Sequence, residues 1–188
     1  YDLTYFILRQ LPFLSASAYE NNCSWSSSYN LSSWLSQRIL ELIFAAWDLE
    51  PFARDCGYDG PPFIWDEERR FMIRCELDAA CLPLYLGNPD DWQEQGSPEL
   101  RDYFATQREA VEYILETFPI AKRKDEQKYG EYRTKRVILE IYGAMAEAIR
   151  TGSRYQTRLY PPPGPPEAGL PAWPSHIHPA RWWWEREG

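Results

Sequence analysis

Seven cationic side chains crowd into the stretch from Phe118 to Arg136: Lys122, Arg123, Lys124, Lys128, Arg133, Lys135 and Arg136. Only Asp125, Glu126 and Glu131 oppose them there, which leaves a local charge of +4 in a chain whose 188 residues sum to −8. Lys and Arg displace counterions from a nucleic-acid backbone, so a basic island interleaved with Tyr129 and Tyr132 has the pattern of a phosphate-facing patch. The same composition also describes a solvated loop whose charges only keep it in water.

Chemistry beyond charge is thinly provided. The only histidines, His176 and His178, sit two apart in a proline-rich stretch with no third metal ligand nearby. There is no glycine-rich phosphate or dinucleotide loop, no Gly-x-Ser-x-Gly elbow, and no histidine outside that stretch to serve a triad. Cys23, Cys56, Cys75 and Cys81 contain no Cys-x-x-Cys pair, which points to free thiols in a reducing compartment and away from zinc. Cys75 and Cys81, six apart, fall on different faces of a helix.

Two short strings come near known sites. Glu126-Gln127-Lys128 resembles the Glu-x-Lys end of a nuclease metal site, with Glu112 or Glu116 upstream. Such sites need carboxylates converging from strands on a cation, and these fall in a charged loop and on a helix. Asn88-Pro89-Asp90-Asp91 starts like the Asn-Pro-Pro-aromatic signature of amino-methyltransferases but lacks the second proline and the aromatic, and reads as a turn. No catalytic and no metal residue is therefore expected.

The elements that must position the basic island are helical. Residues 1–14 read as a short extended segment ending at Leu11-Pro12, and residues 15–33, rich in Ser and Asn, as a loop. Ser32 or Ser33 caps a helix with Leu35, Ile39, Leu42, Ile43 and Ala46 on one face, closing before Pro51. A short turn of helix follows through Phe52 and Ala53 to Gly57, then a rigid connector from Asp59 to Trp65. Asp66 caps a second helix, with Glu67 and Glu68 in its first turn, that runs to about Leu82 and is ended by Pro83 and Gly87.

Residues 88–99 read as an acidic loop. A third helix from about Pro98 to Thr117 carries Leu100, Tyr103 or Phe104, Val111, Ile114 and Leu115. After the basic island, a fourth runs from about Thr134 to Arg150 with Val137, Ile138, Ile141, Tyr142, Met145 and Ile149 on one face. Half of the sixteen prolines lie between Pro161 and Pro179. The expectation is a mainly α fold: a small helical domain of about four helices over residues 1–160, and an irregular Pro- and Trp-rich tail over 161–188. In that tail, Trp182-Trp183-Trp184 suits stacking on bases or anchoring on the domain or a neighbour, and Pro161 to Pro166 a proline-motif ligand or a spacer.

With 44% hydrophobic residues, no apolar run near the ~18 a membrane span requires, and no signal-peptide pattern, the chain reads as cytoplasmic and without a membrane partner. It opens at Tyr1 in an apolar run, Tyr5 to Leu8, and reads as a piece whose N-terminal partner sequence lies upstream.

Taken in order, several phrases resemble the C-terminal end of large adenine-N6 DNA methyltransferases, the type IIG-like and phage-defence methylases of restriction–modification systems. They are Tyr5 to Pro12, Leu40-Glu41-Leu42 with Ala46 to Leu49, Gly60 to Phe63 with Trp65 to Arg70, and Glu76 to Ala80 with Leu84-Tyr85. The last runs from Tyr113 to Ile120 into Lys122 to Asp125 and Tyr129 to Lys135. The acidic stretch 88–99 departs from the pattern as an insertion, and the tail after Pro161 matches poorly. The resemblance implies an upstream Rossmann-like domain that binds S-adenosylmethionine and holds a flipped adenine. Both of its motifs are absent from this sequence, so the chain alone is expected to be inactive.

The resemblance thus implies a C-terminal helical region that clamps double-stranded DNA beside the methylase and target-recognition domains. Lys122, Arg123, Lys124, Lys128, Arg133, Lys135 and Arg136 would touch phosphates, Tyr129 and Tyr132 sugar edges or the domain itself, and Arg9 and Gln10 stand as weaker contacts. The competing expectation is a structural or protein-interaction module that docks a catalytic or restriction subunit, with the island in solvent. The charge of −8 favours it, because an acidic body repels DNA except at a local patch.

Overall fold

A computed structural model describes residues 13–165. The extended segment expected up to Pro12, with Arg9 and Gln10, lies outside the described residues, as do the histidines and tryptophans of the tail.

Asn30 joins the first two elements. It ends a two-stranded antiparallel hairpin, β1 (Asn22–Cys23) and β2 (Ser26–Asn30), and its side chain caps α1 (Leu31–Ile43) by accepting from the Ser33 N–H at 2.8 Å. The stretch expected as loop is therefore a 3-10 turn (Ala16–Glu20) and this hairpin, and the cap falls on Asn30 instead of Ser32 or Ser33. The buried face of α1 also differs from the expected one. Leu31, Trp34, Arg38, Leu40 and Glu41 are buried, while Ile39 and Ile43 are exposed. A periodicity count treats charged residues as solvent-facing, and here two of them turn inward.

The next elements are α2 (Glu50–Asp55), with Pro51 in its first turn, and α3 (Glu67–Leu86). Asp66 caps α3 through the Arg69 N–H at 2.8 Å, as expected. Pro83 does not end this helix; it sits buried in the last turn, and Gly87, at φ 82°, closes it. Proline removes an N–H donor, which a final turn tolerates when its neighbours pack, and Leu84 and Leu86 both rest on the core.

The acidic stretch holds a 3-10 turn (Pro89–Asp91) and α4 (Trp92–Gln95). The single helix expected from Pro98 to Thr117 is broken into α5 (Pro98–Arg101) and α6 (Gln107–Glu116). Thr106 accepts from the Glu109 N–H at 3.2 Å, and the Glu109 carboxylate reaches back to the Ala105 N–H at 2.9 Å. This is a reciprocal N-terminal capping pattern that starts a new helix.

The basic island is also helical, contrary to its reading as a loop: α7 (Pro119–Tyr129) begins with proline at its first position and ends at Gly130, in the left-handed region at φ 73°. Its charges run round the whole circumference, so no apolar stripe marks it in the sequence. The chain then enters α8 (Arg133–Thr151), whose buried Val137, Ile138, Ile141, Tyr142 and Met145 match expectation. α3 and α8 form the most extensive helix pair, and with Trp25, Trp34, Ala79 and Val111 they enclose the main core. The domain is mainly α with a small hairpin, and among the described residues no helix is long and apolar enough to cross a membrane.

After α8 the chain runs back as a strap, 153–165, across two buried ion pairs. Arg38 reaches Glu76 with Nε at 2.9 Å and Nη2 at 2.8 Å, donates Nη1 to the Trp34 carbonyl at 3.0 Å, and lies 3.4 Å from the centre of the Trp34 ring. The Tyr155 hydroxyl, at 2.9 Å, and the Thr157 hydroxyl donate to the other Glu76 oxygen. Arg69 grips Glu41 through Nε and Nη2 and donates Nη1 to the Pro161 carbonyl at 2.8 Å, while the Gly164 N–H donates to Glu41 at 2.9 Å. Burial pushes the Arg38 guanidinium below its ordinary pKa, and Glu76 acts in the opposite sense.

Removing one member of such a pair leaves an uncompensated buried charge. Glu76→Ala is expected to cost about 3–5 kcal/mol, read by denaturant unfolding, and the joint change Arg38→Met with Glu76→Leu to recover part of that loss, since the Tyr155 and Thr157 hydroxyls stay without their acceptor.

Candidate nucleic-acid interface

Folding brings three further carboxylates onto the basic island. Glu116, the last residue of α6, takes Lys122 Nζ at 2.9 Å and Lys135 Nζ at 2.7 Å on its two oxygens. Arg133 pairs with Glu68 of α3 and lies over the Phe71 ring at 4.3 Å. Arg136 holds Glu131 and Glu140, each at 2.9 Å, and Arg158 reaches the same Glu140 at 2.7 Å. With Glu68, Glu116, Glu140 and Arg158 counted, the local balance falls from +4 to +2.

Four of the seven predicted phosphate contacts, Lys122, Arg133, Lys135 and Arg136, are therefore engaged by carboxylates. The other three share α7. Arg123 and Lys124 are exposed and make no ion pair with a described residue, and Lys128 is exposed with its ammonium 4.9 Å from the centre of the Tyr129 ring.

Two other polar groups of the island, Asp125 and Tyr132, are structural. Asp125 accepts from the Thr134 N–H at 2.6 Å and so satisfies the start of α8 from the neighbouring helix. Tyr132 is half-buried and donates its hydroxyl to the Leu115 carbonyl at 3.0 Å, which places it on the domain. Glu126, Gln127 and Lys128 are exposed on α7, and no group of three metal-ligating side chains occurs among the described residues. Asn88 accepts from the Asp90 N–H at 3.2 Å in a turn. Cys75 is buried and its thiol is pushed up to about 12, while Cys81 is exposed.

Beside α7 lies an apolar groove of about 320 Å³, walled by Leu82, Ile114, Leu115, Phe118, Ala121 and Ile138, with Asp78, Cys81, Tyr132 and Thr134 at its polar edge. The sequence reading missed it, since its walls come from four helices. The exposed Phe118 was its local signal.

No family model, curated protein or solved structure matches this chain.

The two lysines hold the Glu116 carboxyl down at about 2, Lys135 contributing most. A depressed carboxylate adds stability that is fully present above its unfolded value near 4.5 and is lost as pH falls toward 2. In carboxyl-detected NMR, Glu116 is expected to titrate near 2 in the intact chain and to return toward 4.5 in Lys122→Ala with Lys135→Ala. The acid-side loss of stability is expected to shrink in Glu116→Gln.

Proposed function

We propose that this chain is a helical C-terminal region of a site-specific adenine-N6 DNA methyltransferase that touches the backbone of duplex DNA through the outer face of α7. The observation that carries the reading is the trio Arg123, Lys124 and Lys128, exposed on one helix with no carboxylate partner among the described residues. No described carboxylate pairs with these charges, which leaves them able to displace counterions from phosphate. Lys122, Arg133, Lys135 and Arg136 add to the contact only by exchanging a carboxylate for a phosphate, which exposed pairs do at little cost. Phosphate contacts position a duplex without reading its sequence. The ordered phrases from Tyr5 to Lys135 support the methylase origin, and S-adenosylmethionine and the reacting groups belong to the upstream domain that this origin implies.

The apolar groove and the lowered charge of the island favour a second reading, a module that buttresses or docks the catalytic part. One titration separates them. Under the first reading, fluorescence anisotropy with a generic duplex is expected to show log affinity falling linearly with log salt. Joint replacement of Arg123, Lys124 and Lys128 by Ala is expected to reduce that slope by about 2.7. Absence of binding at low salt by the folded chain, or a slope unchanged by the three replacements, favours the docking reading.

A further inference from the structure

The groove beside α7 holds a carboxylate without a partner among the described residues. Asp78, on α3, makes no hydrogen bond or ion pair with a described residue, and Arg74, one turn earlier, acts on it only from beyond ion-pair distance. Asp78 is exposed, and the apolar mass beside it raises its pKa above the ordinary carboxylate value. The groove itself, about 320 Å³, is open, and Phe118 on its wall is 54% exposed. A cavity of ~150 Å³ takes a benzene ring, so this one has room for an indole.

The complement of such a surface is a large apolar side chain for the groove and a cation for Asp78. The sequence contains that pairing at Arg181-Trp182-Trp183-Trp184. Arg181 follows Pro165 by sixteen positions, a reach of up to about 55 Å for extended chain. A domain of this size has a radius of gyration of about 15 Å, so every face is within range.

We propose that the groove between α3, α6, α7 and α8 is the seat of this chain's own Arg181–Trp184 segment, with an indole in the groove and the guanidinium on Asp78.

The full chain carries its own reporters, since Cys81 lines the groove and the exposed Cys56 lies outside it. With Glu185→Cys, mild oxidation and peptide mass mapping are expected to give an intrachain disulfide to Cys81 in about tenfold excess over Cys56. Although Cys81 is exposed, the apolar wall beside it and Asp78 raise the pKa of its thiol, so its intrinsic reactivity works against that preference. Asp78→Arg is expected to cut the preference several-fold, and Arg181→Asp in the same chain to restore it. Equal linkage to Cys56 and Cys81, or a preference unmoved by Asp78→Arg, overturns the proposal. A Cys81 disulfide found only between two chains also overturns it and assigns the groove to a second copy.

Discussion

Two arginines and two glutamates buried in the middle of the domain must satisfy one another, and this requirement ties the structure together. Arg38 and Glu41 come from α1, Arg69 and Glu76 from α3, and the strap supplies the Tyr155 and Thr157 hydroxyls, the Pro161 carbonyl and the Gly164 N–H. Charges removed from water gain little net stability from pairing, because desolvation consumes most of the Coulomb energy. Their effect is on geometry. A shift of α1 along α3, or of the strap across both, leaves a buried charge unmatched, so one register of three segments is selected together. Gly164 shows how closely the strap is held, since a Cβ there would stand 2.7 Å from the Gln37 side chain.

At the surface the same residue types behave differently. The pairs that Glu116, Glu131 and Glu140 make around the basic island are largely in water, where high dielectric and salt keep each one weak and exchangeable. The buried pairs set the scaffold, and the exposed ones leave the island able to trade carboxylate for phosphate. Asp78, exposed at the edge of an apolar groove, has no partner among the described residues.

The capping pattern Thr106-x-x-Glu109 shows that the break between α5 and α6 was written in the sequence, but apolar residues spaced at a helical period on both sides concealed it. Likewise, Pro119 and Gly130 bracket α7 with ordinary start and stop residues, while a run of charges without an apolar stripe reads as loop. In both places the signal was local and was outweighed by periodicity.

The sequence by itself determined most of what acts within one turn of the chain: Asp66 as a cap, Gly57 and Gly87 as terminators, and the apolar stripe of α8 from Val137 to Met145. It also determined the mainly α class and the cluster of cations on residues 122–136. Only the tertiary structure decided that Arg38 and Glu41 turn inward in place of Ile39 and Ile43, and that Glu68 and Glu116 fold onto the cations. The reason is physical. Propensity and capping are settled between near neighbours, whereas whether a charge can be buried or neutralised depends on a partner that folding delivers, such as Glu76, 38 residues from Arg38, or Glu68, 65 residues from Arg133.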